Sequence, residues 1–322
     1  MTIYYDNTRL STYKECPRKY LLRHVLGWTV DYGKVSAPLV FGGAWHAGQD
    51  KLWKGAKSNN PTQLLELAFE GFLEHWTENG YDRNPGYQEL EDLGARTPMT
   101  AKEMYYNYIK QRWNILSSAE ILGIEQSFAV PFPNSDIQYI GKLDKVIRLN
   151  GRTTIIEHKT TTLYRVSGFF EQNYLDSWWS SSQVKGYEYG GTLFYGSVGD
   201  VWVDCALVHK KVHEGFKFVP VSHSVDLIQE WVTTTLTWAN NVTEAIKQHK
   251  AGVSTAVAFP KNEDSCFGKY GSCPFLDICR IVPDPTKLDG PPPGFKVEVW
   301  EPFDVKGFES LKEQLTTENK NG

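Results

Sequence analysis

Residues 139–159 read YIGKLDKVIRLNGRTTIIEHK, two β-rich runs separated by Asn150 and Gly151. Asn-Gly between two such runs is the strongest short-range signal for a hairpin with a two-residue type I′ turn. With these two residues in the turn, Leu149 faces Arg152, and the pairing of the other residues follows. The sequence therefore predicts the register of the hairpin as well as its position.

This register brings two acidic side chains together. Asp144 is predicted to lie directly opposite Glu157, with Cβ atoms roughly 4.5–5.5 Å apart on one face, where the two charges repel unless a cation lies between them. Side chains alternate along a strand, so Lys159 shares that face, whereas His158 turns away and leaves only its backbone carbonyl near the acids. The pattern favours a divalent metal site. The alternative is an amphipathic hairpin with a solvated charged face, in which Asp144 pairs with a nearby lysine.

The composition indicates a globular protein. The 322 residues are 41% hydrophobic and 14% aromatic, and no apolar run approaches the roughly 18 residues of a membrane span. The first residues lack a basic segment followed by an apolar core, so we expect an intracellular, cytoplasmic protein with no membrane contact. The net charge of −4 gives no general attraction for nucleic acid, so phosphate binding has to come from local basic clusters. These clusters are Lys14 with Arg18, Lys19 and Arg23, then Lys142 with Lys145, and then Lys210 with Lys211.

The five cysteines argue for metal or redox chemistry rather than for disulfide bonds. Cys266, Cys273 and Cys279 are spaced C-x6-C-x5-C, one ligand short of a four-cysteine site. Cys16, which has basic neighbours, is the natural fourth ligand, and such a site would join the two ends of the chain. Cys205 lies in an apolar run and is predicted to be a core residue. The alternative is that the other four are unrelated buried or surface thiols.

The pattern of apolar residues predicts both helices and strands. A capping box at Thr12 and Glu15 predicts a helix through Cys16 to about His24, strained or kinked at Pro17. The pair Gly42-Gly43 predicts a turn before a second helix. Further helices are predicted at 61–78, 100–120 and about 175–194, and strands at 124–130, 201–208 and 216–219. This order predicts a mixed α/β core with an N-terminal helical insertion.

Six ordered motifs resemble the RecB-type branch of the PD-(D/E)XK nucleases. They are Cys16-Pro17, Gly42-x-x-x-His46, Gly141-x-x-Asp144, Glu157-x-Lys159, Gln183-x-x-x-Tyr187 and the three late cysteines. The resemblance spans residues 10–282 and is greatest to the iron-sulfur nucleases, which include the AddB nuclease domain and CRISPR-associated and phage exonucleases. The late cysteines of these nucleases often fall as C-x2-C-x5-C, which makes Cys266 the least typical of the three.

The resemblance implies a restriction-endonuclease-like α/β fold, in which helices flank a mixed central sheet. We expect one nuclease domain over residues 1–282 and a Pro-rich extension over residues 283–322. Within the domain we expect a helical insertion at about 47–120, the catalytic core at about 121–222, and a helical segment with the cysteine cluster at 223–282.

The resemblance also implies roles for individual residues. The expected ligands of a Mg²⁺ or Mn²⁺ ion are His46, Asp144, Glu157 and the backbone carbonyl of His158. Lys159 is expected to orient the attacking water and to stabilise the developing charge. Gln183 and Tyr187 match a motif that is associated with DNA binding. The expected ligands of a 4Fe-4S cluster, or of Zn²⁺ as the alternative, are Cys16, Cys266, Cys273 and Cys279.

Elementary chemistry agrees with these roles. Carboxylate oxygens suit Mg²⁺ or Mn²⁺, and one neutral imidazole fits Mn²⁺ somewhat better. Hydrolysis of a phosphodiester needs a deprotonated water and charge neutralisation, and a divalent metal supplies both. A helix would present Gln183 and Tyr187 on one face, and Trp178 and Trp179 just before them offer rings for stacking on unpaired bases. Ordinary core packing is the alternative for His46, for the Gln183–Tyr187 pair and for Trp178.

Three hypotheses for the function follow. The first is a metal-dependent DNA exonuclease acting on single strands or free ends, in recombination, repair or phage or CRISPR DNA processing, within a bacterial or phage-infected cell. A helicase or recombination protein is then a possible partner. The second is a nucleic-acid-binding adaptor subunit of a recombination or integration complex with minor nuclease activity. The third is a redox-sensing iron-sulfur protein, which gives no reason for the acidic hairpin.

Overall fold

The computed structural model describes residues 2–163, 170–268 and 271–299. The chain divides into two compact units: a terminal unit of residues 1–32, 127–141 and 224–322, and a central unit of residues 33–126 and 142–223. Within the described ranges, no helix is both long and apolar enough to cross a membrane.

Helices dominate the first part of the chain, and strands and helices follow. The helices are α1 (Asn7–Glu15), α2 (Pro17–Tyr20), α3 (Ala37–Gly55), α4 (Pro61–Glu78), α5 (Tyr87–Leu93), α6 (Pro98–Ser118), α7 (Gln172–Asp176), α8 (Ser182–Tyr195), α9 (Val225–Lys250), α10 (Thr255–Ala258) and α11 (Leu276–Ile281). The strands are β1 (Ile3–Tyr5), β2 (Trp28–Val30), β3 (Glu120–Pro131), β4 (Ile137–Leu149), β5 (Arg152–Thr161), β6 (Asp200–Leu207), β7 (Phe216–Val221), β8 (Phe267–Gly268), β9 (Gly271–Ser272) and β10 (Phe295–Val297).

The sheet of the central unit is mixed. Strand β4 is antiparallel to β5, β5 is parallel to β6, and β6 is antiparallel to β7. The predicted hairpin turn is confirmed, because Asn150 and Gly151 have φ angles of 50° and 78°, and a type I′ turn requires positive φ at both positions. The predicted register is confirmed as well, since Leu149 lies opposite Arg152.

Helices pack on both faces of this sheet. Ile156 of β5 belongs to a buried core with Trp45 of α3 and Tyr105 of α6, whose rings stack with centroids 4.3 Å apart. Ile155, the next residue, faces the other way and lies against Gly191 of α8. This alternation of neighbouring apolar residues is what a strand buried on both faces requires. The central unit therefore has helix, sheet and helix layers.

The terminal unit is built around aromatic residues and a ribbon of two strands. Strand β1 pairs in parallel with the first residues of β4, and Tyr139 there meets Trp231 of α9 edge to face at 5.2 Å. Strands β2 and β10 pair antiparallel. Trp28 of β2 packs with Phe275 and Ile278 in a small buried core.

The predicted helix start at Thr12 is wrong. Helix α1 begins at Asn7, because the Asp6 carboxylate accepts a hydrogen bond of 2.7 Å from the Arg9 backbone N–H and caps the helix. The helix ends before Cys16, whose backbone is extended with φ −161° and ψ 115°. A residue before proline is kept out of the helical region, so Pro17 determines this end and starts α2. The predicted kink at Pro17 is confirmed, and so is the predicted end near His24, because a π-helical turn, Leu21–Val25, continues α2.

The predicted turn at Gly42-Gly43 is also wrong. Both glycines lie inside α3, and a Cβ atom on Gly43 would lie 2.4 Å from the His75 imidazole of α4. The glycine serves close packing of two helices rather than a turn. The predicted helix at 175–194 is divided, because α8 begins at Ser182 with Ser181 as its cap.

The predicted helices at 61–78 and 100–120 are confirmed as α4 and α6, and the predicted strands as β3, β6 and β7. The fold class is likewise confirmed as α/β, with a mixed sheet flanked by helices. The single domain over 1–282 stays a prediction. Of the extension at 283–322, residues 300–322 lie outside the described residues.

Candidate active site

Three elements bring the predicted catalytic residues together in the central unit. His46 Nδ1 of α3 lies 3.2 Å from Asp144 Oδ2 of β4. The same carboxylate oxygen accepts a hydrogen bond of 2.9 Å from the backbone N–H of His158 in β5. The Lys159 ammonium forms an ion pair with the Glu157 carboxylate. The site therefore gathers a histidine, two carboxylates and a lysine at the end of the hairpin.

The hairpin ladder ends just before the two acids. Its last paired residues are Lys145 and Ile156, so the predicted pairing of Asp144 with Glu157 lies one step beyond the ladder and stays a prediction. There the Asp144 carboxylate reaches across to the His158 N–H. Asp144 thereby holds the part of β5 that carries the predicted carbonyl ligand.

Glu125 of β3 is a site residue that the sequence motifs did not indicate. His46, Glu125 and Asp144 each offer one ligand atom, and these three atoms lie within 4.8 Å of one another. Glu125 has a φ angle of 53°, a left-handed conformation that is uncommon outside glycine. Its carboxylate forms an ion pair with Lys142. Its only signal in the sequence was a lone acid within a β-rich run.

The two central carboxyl groups, Asp144 and Glu157, have pKa values shifted in opposite directions. Burial and the charge of Asp144 raise the pKa of Glu157 to about 7, against the opposing effects of Lys159 and His46. Burial also disfavours ionised Asp144, but His46 and Lys145 hold the pKa of Asp144 well below its usual range. Burial opposes protonation of His46, yet Asp144 raises the pKa of that imidazole. The site thus favours a cation at its centre.

The donor set fits a hard divalent metal ion. Glu157 Oε2 is buried and has no hydrogen-bond partner among the described residues, and a buried carboxylate oxygen of this kind calls for a cation or a donor. Carboxylate oxygens with one imidazole nitrogen suit Mg²⁺ or Mn²⁺. His46, Glu125 and Asp144 are therefore available to hold such an ion, and Glu157 adds a buried carboxylate oxygen outside that group of three.

The imidazole of His158 belongs to a buried network on the other side of the strand, as the alternation of side chains predicted. Its Nδ1 lies 3.1 Å from Asp204 Oδ2, and the Tyr108 hydroxyl donates to that oxygen at 2.7 Å. Burial and the charge of Lys145 lower the pKa of His158 to about 4, although Asp204 opposes them. Asp204, which the sequence motifs also did not indicate, fixes the orientation of this histidine. It thereby helps to position β5.

Two cations that were predicted to bind phosphate, Lys145 and Arg18, are buried and cannot contact a phosphate. Lys145 is fully buried and pairs with Asp50 at 2.8 Å. Arg18 is buried, and its guanidinium donates to the carbonyls of Phe259 and Pro283, each at 3.0 Å. Each side chain bonds to acceptors within its own unit, because a buried cation needs acceptors close by.

Of the three predicted DNA-binding residues, Trp178 lies near Lys159 and the other two pair with each other. Gln183 Nε2 donates to the Tyr187 hydroxyl at 2.8 Å, within helix α8. The Trp178 ring centroid is 5.9 Å from the Lys159 ammonium. Tyr187 is only 6% exposed, so its ring is largely core while its hydroxyl is oriented by Gln183.

The four predicted cysteine ligands meet in the terminal unit. Cys16, Cys266, Cys273 and Cys279 line one small cavity of about 20 Å³. Across the described ranges, no three cysteine sulfur atoms lie within 4.8 Å of one another. Cys205 is buried in the central unit, and burial raises the pKa of its thiol to about 12. The prediction that Cys205 is a core residue is confirmed.

A mixed sheet that holds a histidine, carboxylates and a lysine at the end of one hairpin is the arrangement of a metal-dependent phosphodiesterase. A family model described as the PD-(D/E)XK nuclease superfamily matches residues 7–280, and the chain belongs to this superfamily. No curated protein matches the chain significantly. Membership implies nuclease activity with a divalent metal ion and suggests DNA as the substrate.

Proposed function

We propose that this protein is a metal-dependent DNA exonuclease of the RecB-type branch, acting on single strands or free ends. The proposal depends chiefly on one observation. Ligand atoms of His46, Glu125 and Asp144 lie within 4.8 Å of one another, beside a buried Glu157 oxygen that has no hydrogen-bond partner among the described residues. Such a constellation binds a divalent cation and leaves Lys159 beside it.

Each residue has a proposed role. His46, Asp144, Glu157 and the His158 carbonyl would hold Mg²⁺ or Mn²⁺, with Glu125 as an additional carboxylate. A metal ion bound there supplies charge neutralisation at the phosphate and lowers the pKa of a water. Asp144 fixes the His158 backbone through its hydrogen bond of 2.9 Å.

Lys159 holds the Glu157 carboxylate in place before metal binds, and its ammonium then faces the attacking water and the developing charge. Gln183 and the Tyr187 hydroxyl would contact the sugar-phosphate backbone of the strand. Trp178, next to Lys159, would stack on an unpaired base.

Digestion of linear and circular single strands tests the proposal. We expect Mn²⁺- or Mg²⁺-dependent degradation of a 5′-labelled linear strand, and no cleavage of a circular strand of the same sequence. Equal cleavage of the circle would contradict the exonuclease assignment. DNA binding without any metal-dependent cleavage would instead favour the adaptor hypothesis. A matched RNA strand shows whether the sugar is discriminated.

The affinity for Mn²⁺ should depend on pH. The pKa of Glu157 is raised to about 7 and the pKa of His46 is also raised, so protons and metal compete for the same atoms. We expect the Mn²⁺ affinity to fall about tenfold for each pH unit below the Glu157 pKa. Calorimetric titration at pH 6, 7 and 8 measures this. Equal affinities at pH 6 and pH 8 would contradict it, and Glu157→Gln should flatten most of the dependence while weakening binding.

The four cysteines are proposed to hold a 4Fe-4S cluster. A tetrahedral zinc site with Zn–S bonds of about 2.3 Å needs sulfur atoms only about 3.8 Å apart. The described cysteine sulfurs do not form a group of three even within 4.8 Å. The choice of a cluster over zinc therefore depends on the ordered cysteine motifs, Cys16-Pro17 and the three late cysteines.

The metal content of cysteine variants tests this assignment. Protein purified without oxygen should be brown, and Cys16→Ser should lose at least about half of the iron, because one of four ligands is removed. Cys205→Ala is the matched control and should keep its iron, since Cys205 is buried in the central unit. Zinc in place of iron in the wild-type protein would overturn the assignment.

A further inference from the structure

A second cavity of the terminal unit, about 410 Å³ in volume, is lined by basic and aromatic side chains. It lies among α1, α2 and β2 and shares no lining residue with the candidate active site of the central unit. Arg9, Lys19 and Arg23 contribute three positive charges to its lining, and Asp6 contributes the one negative charge of the described lining. The volume falls in the range of about 300–1,000 Å³ that small ligands occupy.

Asp6, the one acid of the described lining, caps helix α1. The Asp6 carboxylate accepts a hydrogen bond of 2.7 Å from the Arg9 N–H as the cap of α1, and its charge offsets one of the three positive charges of the described lining. The Arg9 guanidinium is oriented by the Tyr20 hydroxyl at 2.9 Å. The cavity therefore keeps an excess of positive charge.

Lys19 and Arg23 are partly exposed to solvent, with side chains 23% and 32% exposed. Lys19 pairs with exposed Glu15 at 2.8 Å, and the Arg23 guanidinium lies 4.0 Å from the exposed Glu298 carboxylate. Exposed ion pairs of this kind are weak, so a backbone phosphate can compete with Glu15 or Glu298 for these two cations.

The state of His24 reflects the same positive potential. Burial and the charges of Arg9, Arg23 and Lys19 lower the pKa of His24 to about 3. Its imidazole Nε2 lies 3.3 Å from the Thr12 hydroxyl. A neutral imidazole and a hydroxyl on one wall add hydrogen-bonding groups without adding negative charge.

An aromatic platform lies at the edge of this cavity. Tyr32 lines it and is 75% exposed, so its ring is accessible to a ligand. Exposed aromatic rings beside cations are the means by which proteins bind single-stranded nucleic acids, because every base can stack and every nucleotide carries a phosphate.

We propose that this cavity binds one nucleotide unit of a single DNA strand, with the phosphate held by Lys19 and Arg23 and the base stacked on Tyr32. The identity of the ligand rests on the proposed function, which makes a DNA strand the substrate of this chain. The cavity is then a strand-binding site in the terminal unit, separate in its residues from the site of hydrolysis.

The binding of a fluorescent oligothymidylate to the full-length protein tests the proposal. Anisotropy is measured in EDTA, so that binding is followed without cleavage, at several salt concentrations. Lys19→Gln with Arg23→Gln should weaken binding at least about tenfold at low salt and reduce the slope of log K against log salt by about 1.4, or about 0.7 for each lost phosphate contact. Tyr32→Ala should weaken binding about fivefold and leave the slope unchanged, because stacking releases no counterions.

Two control variants separate this effect from general charge and from misfolding. Arg280→Gln removes an exposed cation of the same unit that does not line the cavity, and it should leave affinity and slope unchanged. Arg23→Lys keeps the charge and should retain the slope.

Unchanged affinity and slope in the double Gln variant would overturn the proposal. So would binding of dTMP or inorganic phosphate that is sensitive to these substitutions while oligonucleotide binding is not. If the wild-type protein binds the strand through this cavity but never cleaves it with metal, the proposed function fails and the cavity assignment stands.

Discussion

Asp144→Asn should reduce metal-dependent cleavage of DNA by about 1,000-fold or more, on the scale found when a charge-stabilising group is removed from an active site. The Asp144 carboxylate is 6% exposed and contacts both His46 at 3.2 Å and the His158 N–H at 2.9 Å. Asparagine keeps an oxygen that can accept from the N–H, and its volume is similar. It loses the charge that a divalent metal requires.

The variant should therefore fold normally and fail to bind metal. We expect its Mn²⁺ affinity, measured by calorimetry, to fall together with its cleavage rate, while thermal unfolding without metal changes little. Glu120→Gln is the matched control, because Glu120 is an exposed acid of β3 that pairs with Arg148 at the surface. Cleavage by Asp144→Asn within about threefold of the wild-type rate would exclude Asp144 as the central ligand, since no metal ligand is so dispensable.

Lys159→Gln should reduce cleavage by about 100- to 1,000-fold without a loss of metal affinity. The Lys159 ammonium is paired with Glu157 and is 29% exposed. It is therefore positioned as a cation beside the site rather than as a ligand. Because it competes with a metal ion for the Glu157 carboxylate, its removal should leave Mn²⁺ affinity equal or higher.

The contrast between the two variants distinguishes catalysis from metal binding. Asp144→Asn should lose both properties, and Lys159→Gln should lose only cleavage, measured as kcat at saturating Mn²⁺. Arg148→Gln is the control, since Arg148 is an exposed cation of β4. A parallel loss of Mn²⁺ affinity and activity in Lys159→Gln would show that Lys159 only maintains the structure of the site.

The hairpin could be predicted in detail because its determinants are local. Asn150 and Gly151 accept positive φ angles, and alternation along two strands then determines which side chains share a face. Asp144 and Glu157 came from this geometry, the four cysteines came from their number and spacing, and His46 came from the family motif.

Other features could not be read from local sequence. Glu125 and Asp204 are single acids in β-rich runs, and neither lies at a motif spacing that would indicate a functional residue. Glu125 joins the site because β3 pairs with β4 and because its backbone adopts a φ of 53°. Asp204 matters because the parallel pairing of β5 with β6 places it opposite His158.

Two local signals were also overruled by stronger interactions. The capping box at Thr12 does not start a helix, because Asp6 already caps α1 and the helix continues through Thr12. The Gly42-Gly43 pair lies within α3 because its neighbour α4 needs the space that a side chain would fill. Neither the Asp6 cap nor the packing of α4 on α3 can be recognised from the motif alone.

The sequence by itself determined the α/β class, the hairpin with its register, and the identity of most residues of the proposed metal site, because turn chemistry and side-chain alternation act over a few residues. Only the tertiary structure decided that Glu125 lies with His46 and Asp144, that Lys145 is buried, and that Lys19, Arg23 and Tyr32 surround one cavity. These arrangements depend on contacts between residues far apart in the chain, where packing and charge neutralisation outweigh local preference.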